Sequence, residues 1–165
     1  LGPAGLETLV LQQVGALARV AAAVGVRLLH VKLHGSLYHA VEQDPRLGVA
    51  YVQAVARWFP RLILYARAGG RVEKLARAAG VPVWPEAFAD RGYQADGSLV
   101  ARGEPGALLA SRGAVRERIQ EQRRHGWVVA VDGARVPLRV RTWCVHADTP
   151  EAVALARAVR ESLRP

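Results

Sequence analysis

The chain has 165 residues, a hydrophobic fraction of 51% and a formal net charge of +9. That is one domain's worth of sequence, long enough to bury a core. No charge-free run of eighteen residues interrupts it, which excludes a transmembrane helix, and the opening LGPAGLETLV lacks the basic start and cleavage site of a signal peptide. Methionine is absent, including at position 1, so a natural amino terminus is expected to be missing.

In chain order, Leu6, Leu9, Val10, Val14, Leu17 and Val20 recur at spacings of three and four, which predicts a helix over 4–23 closed by Gly25. A short strand over 27–32 follows and delivers HGSLYH into a loop. Asp44 and Pro45 read as N-cap and first helical residue of a helix to about Phe59. Strand 61–66, a helix from Gly70 to Ala79 closed by Gly80, and strand 81–84 come next. Ser111 is expected to cap a helix to His125, with a strand at 127–131, a turn at Asp132-Gly133 and an insertion or edge element over 135–140. The last strand spans 141–145, and Thr149-Pro150-Glu151 starts a closing helix to Leu163. This alternation implies an α/β fold with a mostly parallel sheet. Neither glycine-rich nucleotide fingerprint is present.

The cations are arginines apart from Lys32 and Lys74, and they are scattered along helices; only Arg116, Arg118, Arg123 and Arg124 are bunched. No aromatic residues alternate with that bunch, which argues against a nucleic-acid platform. Cys144 is the single cysteine, so no internal disulfide forms; in TWCV it reads as a buried structural thiol of a reducing, cytoplasmic protein.

Polar groups concentrate in 84–109, where Glu86, Asp90, Arg91, Tyr93 and Asp96 follow an apolar run. Loops at strand ends of α/β proteins carry ligand sites, so this stretch is a candidate site. A solvated connection with a hairpin at Asp96-Gly97 is the competing reading. Lys32 and His34, two residues apart on a strand, share a face, and His146 and Asp148 stand between the last strand and a helix start. His34, His146 and a carboxylate are a conceivable metal set, but no local metal-ligand spacing exists and no metal is predicted.

Three ordered blocks carry a resemblance. EAFADRGYQADGSLVAR at Glu86–Arg102, HVKLHGSLYH at His30–His39 and CVHAD at Cys144–Asp148 closely resemble the motifs of the 5-oxoprolinase A-subunit family, also called the PxpA or LamB/YcsF lactam-utilisation family. The chain departs from the family pattern at Leu33 (usually proline), His39 (usually asparagine) and Ala147 (usually glycine), and the family's amino-terminal D-L-N-x-D-x-G-E motif has no counterpart. The resemblance implies the carboxy-terminal portion of a distorted seven-stranded, TIM-like β/α barrel of the glycoside hydrolase/deacetylase type, as one incomplete domain over 1–165 that could pair with another copy. It also implies ATP-dependent hydrolysis of 5-oxoproline to L-glutamate beside the B and C subunits, with Mg accompanying the ATP, in the cytoplasm. On that basis Asp90 or Glu86 is assigned as base, His34 and His146 as proton-transfer groups, and Lys32, Arg91, Tyr93 and Asp148 as substrate-binding residues. The alternatives are a non-catalytic scaffold piece of the same family and a metal-dependent deacetylase.

Overall fold

The computed structural model describes residues 1–149 and 151–164. The chain divides into two compact units, Leu1–Pro85 and Glu86–Pro165, with the boundary inside a strand. Among the described residues there are six α-helices, and the long strands pair in parallel, so the fold is α/β.

The first unit opens with helix α1 (Pro3–Ala23), one residue longer than expected at its start. The Gly25 amide bonds the Ala22 carbonyl and the Val26 amide bonds that of Ala21, the paired closing bonds of a Schellman end. Strand β1 is only His30–Val31, not the six residues expected, although Leu29 still lends its carbonyl to the Ile63 amide. Helix α2 (Ser36–Gln43) occupies most of the segment expected to be a loop. Its short length and two buried residues, Tyr38 and Val41, left little periodicity to read.

Helix α3 (Pro45–Trp58) begins as expected, with the Asp44 carboxylate accepting from the Arg46 amide and proline at the first position. Strand β2 (Ile63–Arg67) pairs in parallel with β1 in the register His30↔Ile63, and its Leu64 amide bonds the Pro82 carbonyl. Helix α4 (Arg71–Ala78) is held at its start by a carboxylate from a different helix: Glu42 accepts from the Arg71 and Val72 amides and from Arg67. Leu64 and Ala66 of β2 join Leu6, Val10, Tyr51, Val55 and Val72 in the core of this unit. On the other face of the strands His30, Tyr65 and Trp84 stack in series, with centroids 4.1 and 5.5 Å apart.

Strand β3 (Val83–Phe88) runs four residues further than expected, so Glu86 lies within the strand and not in the loop after it. In the second unit its end pairs in parallel with β6 (Thr142–Cys144), Glu86 opposite Thr142 and Phe88 opposite Cys144. Between them lie α5 (Arg112–His125), capped by Ser111 Oγ as expected, and strands β4 (Trp127–Val129) and β5 (Arg135–Pro137). The fourth strand expected at 127–131 and the element returning after the Asp132-Gly133 turn are both present, and β4 and β5 form their own antiparallel ribbon apart from the parallel sheet. The reason is the Asp132-Gly133 turn, where Asp132 accepts from the Ala134 amide and Gly133 adopts φ +86°, folding the chain straight back.

Helix α6 (Ala152–Ser162) closes the chain; the Pro150 assigned to its start lies outside the described residues. Val115 and Ile119 of α5 pack with Leu155, Ala158 and Val159 of α6 and with Ala89, forming the second core. Three of the four bunched arginines of α5 bond within the unit: Arg116 pairs with Glu161, Arg123 donates to the Ser162 and Arg164 carbonyls, and Arg118 turns to the loop after β3. No helix among the described residues is long and apolar enough to cross a membrane.

Candidate active site

The loop after β3 and the segment after β6 meet at one pair of side chains. Asp90 is fully buried, and its carboxylate collects three donors: the His146 amide at 2.7 Å, His146 Nδ1 at 3.0 Å and the Thr149 hydroxyl at 3.2 Å. Parallel pairing of Phe88 with Cys144 brings residues 56 apart in sequence into register, two positions beyond each strand. The Ala89 amide on the Cys144 carbonyl and the Leu109 amide on the Asp90 carbonyl fix the backbone. The imidazole also lies parallel to the Phe88 ring, 5.8 Å between centroids.

A carboxylate accepts hydrogen bonds and does not donate, so Nδ1 of His146 carries its proton toward Asp90. In the neutral ring Nε2 is then the acceptor, and the side chain is a quarter exposed. Burial pushes the Asp90 carboxyl up, but the hydrogen bonds from the His146 ring and amide, with the attraction of the imidazole, outweigh it and hold the group below its ordinary value. The sign of the linkage follows. A depressed folded-state value stabilises the fold above the unfolded value of about 3.9, and that contribution is lost as pH falls through the folded value. Urea midpoints measured from pH 7 to 3 are therefore expected to fall more steeply for the wild-type chain than for Asp90→Asn. Parallel curves would remove this linkage.

The neighbouring expected residues serve the framework. Arg91 is buried, its Nε donating to the Ala107 carbonyl at 3.1 Å and Nη2 to that of Val100 at 2.6 Å. Tyr93 is buried too, and its hydroxyl accepts from the Phe88 amide at 2.8 Å, closing the loop on itself. Isolated antiparallel bridges Arg91↔Leu108 and Tyr93↔Leu99 complete the frame, and the expected hairpin at Asp96-Gly97 is present, Asp96 accepting from the Ser98 amide. Glu86 is buried within β3. Asp148 is exposed and makes a two-pronged pair with Arg102, at 2.6 and 3.3 Å, whose hydrogen bond lowers its carboxyl from the ordinary value.

Lys32 and His34 lie in the first unit, between β1 and α2. Lys32 is half-buried with Nζ 5.7 Å from the Tyr38 ring centroid, and His34 is exposed. Cys144 is half-buried within β6, less enclosed than expected. Thr149 was not among the expected site residues; its position three beyond His146, read as a helix cap, was the available signal. Among the described residues no group of three or more His, Cys, Asp or Glu side chains is gathered so as to hold a metal ion.

The fold and this geometry define an α/β protein whose parallel strands end in a buried aspartate paired with a partly exposed histidine. Compared with known proteins, the sequence matches the LamB/YcsF family model over residues 1–165, and the chain belongs to that family. It is 44% identical over 163 residues to the 5-oxoprolinase A subunit of Chloroflexus aggregans and 39% identical over 159 residues to that of Nitrobacter winogradskyi. These alignments cover 99% and 96% of the chain but 65% and 62% of the relatives, so the chain spans under two thirds of their length. Among solved structures it is similar to a lactam utilization protein from Thermus thermophilus, with a TM-score of 0.89 and 38% identity over 99% of this chain and 65% of that one.

Proposed function

We propose that the chain is part of the A subunit of an ATP-dependent 5-oxoprolinase, a cytoplasmic hydrolase of the cyclic amide C–N bond that works with the B and C subunits. The observation that carries this reading is the Asp90–His146 pair, supported by the family and by the names of the relatives. We also take the strands to be the later part of a seven-stranded β/α barrel.

The five-membered lactam is a poor electrophile. ATP supplies the drive by phosphorylating the lactam oxygen, giving ADP and an activated ring carbon. Water then adds to that carbon, the C–N bond breaks with the nitrogen taking a proton to leave a glutamyl phosphate, and a second water hydrolyses that acyl phosphate to L-glutamate and phosphate. His146 Nε2 is placed to take the proton from water and return it to the leaving nitrogen, while Asp90 holds the ring in the working tautomer and stabilises the imidazolium. This moves the base from Asp90, which the sequence motif suggested, to His146, because every donor described at Asp90 is already met by its carboxylate. Arg91 and Tyr93 become framework residues, since the Arg91 guanidinium is spent on the Val100 and Ala107 carbonyls and the Tyr93 hydroxyl on the Phe88 amide. ATP, with its Mg, is handled together with the partner subunits; the described residues gather no carboxylate cluster that fits magnesium, and no step is routed through the metal.

Glutamate release from 5-oxoproline, measured with ATP and with the B and C subunits present or omitted, tests the reading. ATP-dependent release that needs all three supports it; none from the complete assembly overturns it.

A further inference from the structure

Arg118 reaches from α5 to the loop that carries Asp90. Its Nη1 donates to the Phe88 carbonyl at 3.3 Å and to the Arg91 carbonyl, so one nitrogen bridges the residues on either side of Ala89-Asp90. The guanidinium also stands over the Tyr93 ring, 5.3 Å from its centroid. The Phe88 amide is met by Tyr93, the Asp90 carbonyl by Leu109 and the Ala89 amide by Cys144, all from β6 or the loop itself. Arg118 supplies a hydrogen-bonded link from α5 to this loop, beside the apolar packing of Ala89 on Val115 and Ile119, which anchor α5 in the second core. A guanidinium suits the task because one of its nitrogens can serve two acceptors at once while the planar cation lies over the aromatic face.

We propose that Arg118 is a positioning residue, which clamps the Phe88–Arg91 turn to α5 and so holds the Asp90 carboxylate in line with the His146 amide and Nδ1. The role matters for turnover on the reading that this pair carries the chemistry, since a misplacement of about 1 Å there can cost about 100-fold.

The test separates positioning from bulk stability. In Arg118→Met, which keeps the stem and removes the donors, amide hydrogen exchange is followed at His146 and at Ile119. Positioning is expected to raise exchange at His146 at least about tenfold more than at Ile119, because a local opening is released without unfolding the core. Equal acceleration at both amides, or no change at His146, overturns the proposal. If the methionine variant does not fold, Arg118→Lys is read the same way, with a smaller selective rise expected and equal acceleration again overturning it. Turnover in the complete assembly is measured in parallel, with kcat expected to fall about 10- to 100-fold at unchanged KM. Selective loosening at His146 with wild-type turnover leaves the clamp standing and counts instead against the catalytic reading of the pair.

Discussion

On the proposed function, Asp90→Asn is expected to lower 5-oxoproline turnover by the complete assembly by about three to four decades, on the scale seen when an aspartate that orients a general-base histidine is made an amide. The reason is a mismatch of donors and acceptors. Three donors converge on this side chain: the His146 amide, His146 Nδ1 and the Thr149 hydroxyl. A carboxylate has two acceptor oxygens for them, whereas an amide has one and presents an NH2 group in place of the other. If that NH2 faces Nδ1, the imidazole must carry its proton on Nε2, the wrong atom for accepting one from water. If instead the amide oxygen faces Nδ1, the tautomer survives but the negative charge that stabilises an imidazolium is gone. In either orientation a donor is left poorly met in a fully buried setting, which costs about 1–3 kcal/mol of stability. His146→Gln should lose a similar factor in kcat, and the double variant little more than either single one, since the two residues act as a unit. Steady-state glutamate release and a urea titration of each variant measure both effects. A kcat for Asp90→Asn within a few-fold of wild type would remove the pair from the reaction.

Elements whose boundaries depend on neighbouring residues were legible in the sequence. Asp44-Pro45 and Ser111 start helices where the capping rule puts them, and Gly126 ends α5 with φ +77°. Elements that depend on distant partners were not. Whether 127–131 enters the parallel sheet is decided by what it pairs with, and the turn at Asp132-Gly133 commits it to β5. Helix α2 was missed because Gly35 offers no capping side chain and eight residues carry too little periodicity. The site shows the same division. Asp90 and His146 could each be picked out from local composition, but their pairing arises from the register of β3 on β6, which no spacing along the chain encodes. Arg91 was assigned to substrate binding on the motif that carries the resemblance, and nothing local in the sequence shows which way its guanidinium turns. It is buried, its hydrogen bonds going to the carbonyls of Val100 and Ala107. Arg118 sat in a bunch of arginines that the sequence allowed to be weighed only as a nucleic-acid platform, and its reach to the loop after β3 depends on how α5 packs.

The second large effect concerns backbone and not chemistry. Gly92 follows Asp90-Arg91 in the loop, its amide bonded to the Ala107 carbonyl and its carbonyl to the Val100 amide. A Cβ placed there would stand 2.0 Å from the Gly106 carbonyl oxygen and 3.1 Å from Val100 Cγ2. The first of these is backbone of a segment already tied down by the Arg91–Ala107 and Leu109–Asp90 hydrogen bonds, so relief requires moving the whole strap over the loop. Gly92→Ala is accordingly expected to cost at least about 3 kcal/mol, the upper range for overpacking, because no flexible side chain can give way. Gly113 supplies the contrast. Nothing lies within 4 Å of a Cβ there, in the first turn of α5, and Gly113→Ala should be neutral or stabilise by up to about 1 kcal/mol through the unfolded chain. Chemical denaturation of the two variants beside wild type reads both. Because the strap at Ala107–Leu109 also holds the Asp90 carbonyl, Gly92→Ala should disturb the His146 amide resonance even where the chain remains folded, while Gly113→Ala should not. Equal stability of the two variants would mean that the close packing of Gly92 on Gly106 is not required by the folded loop.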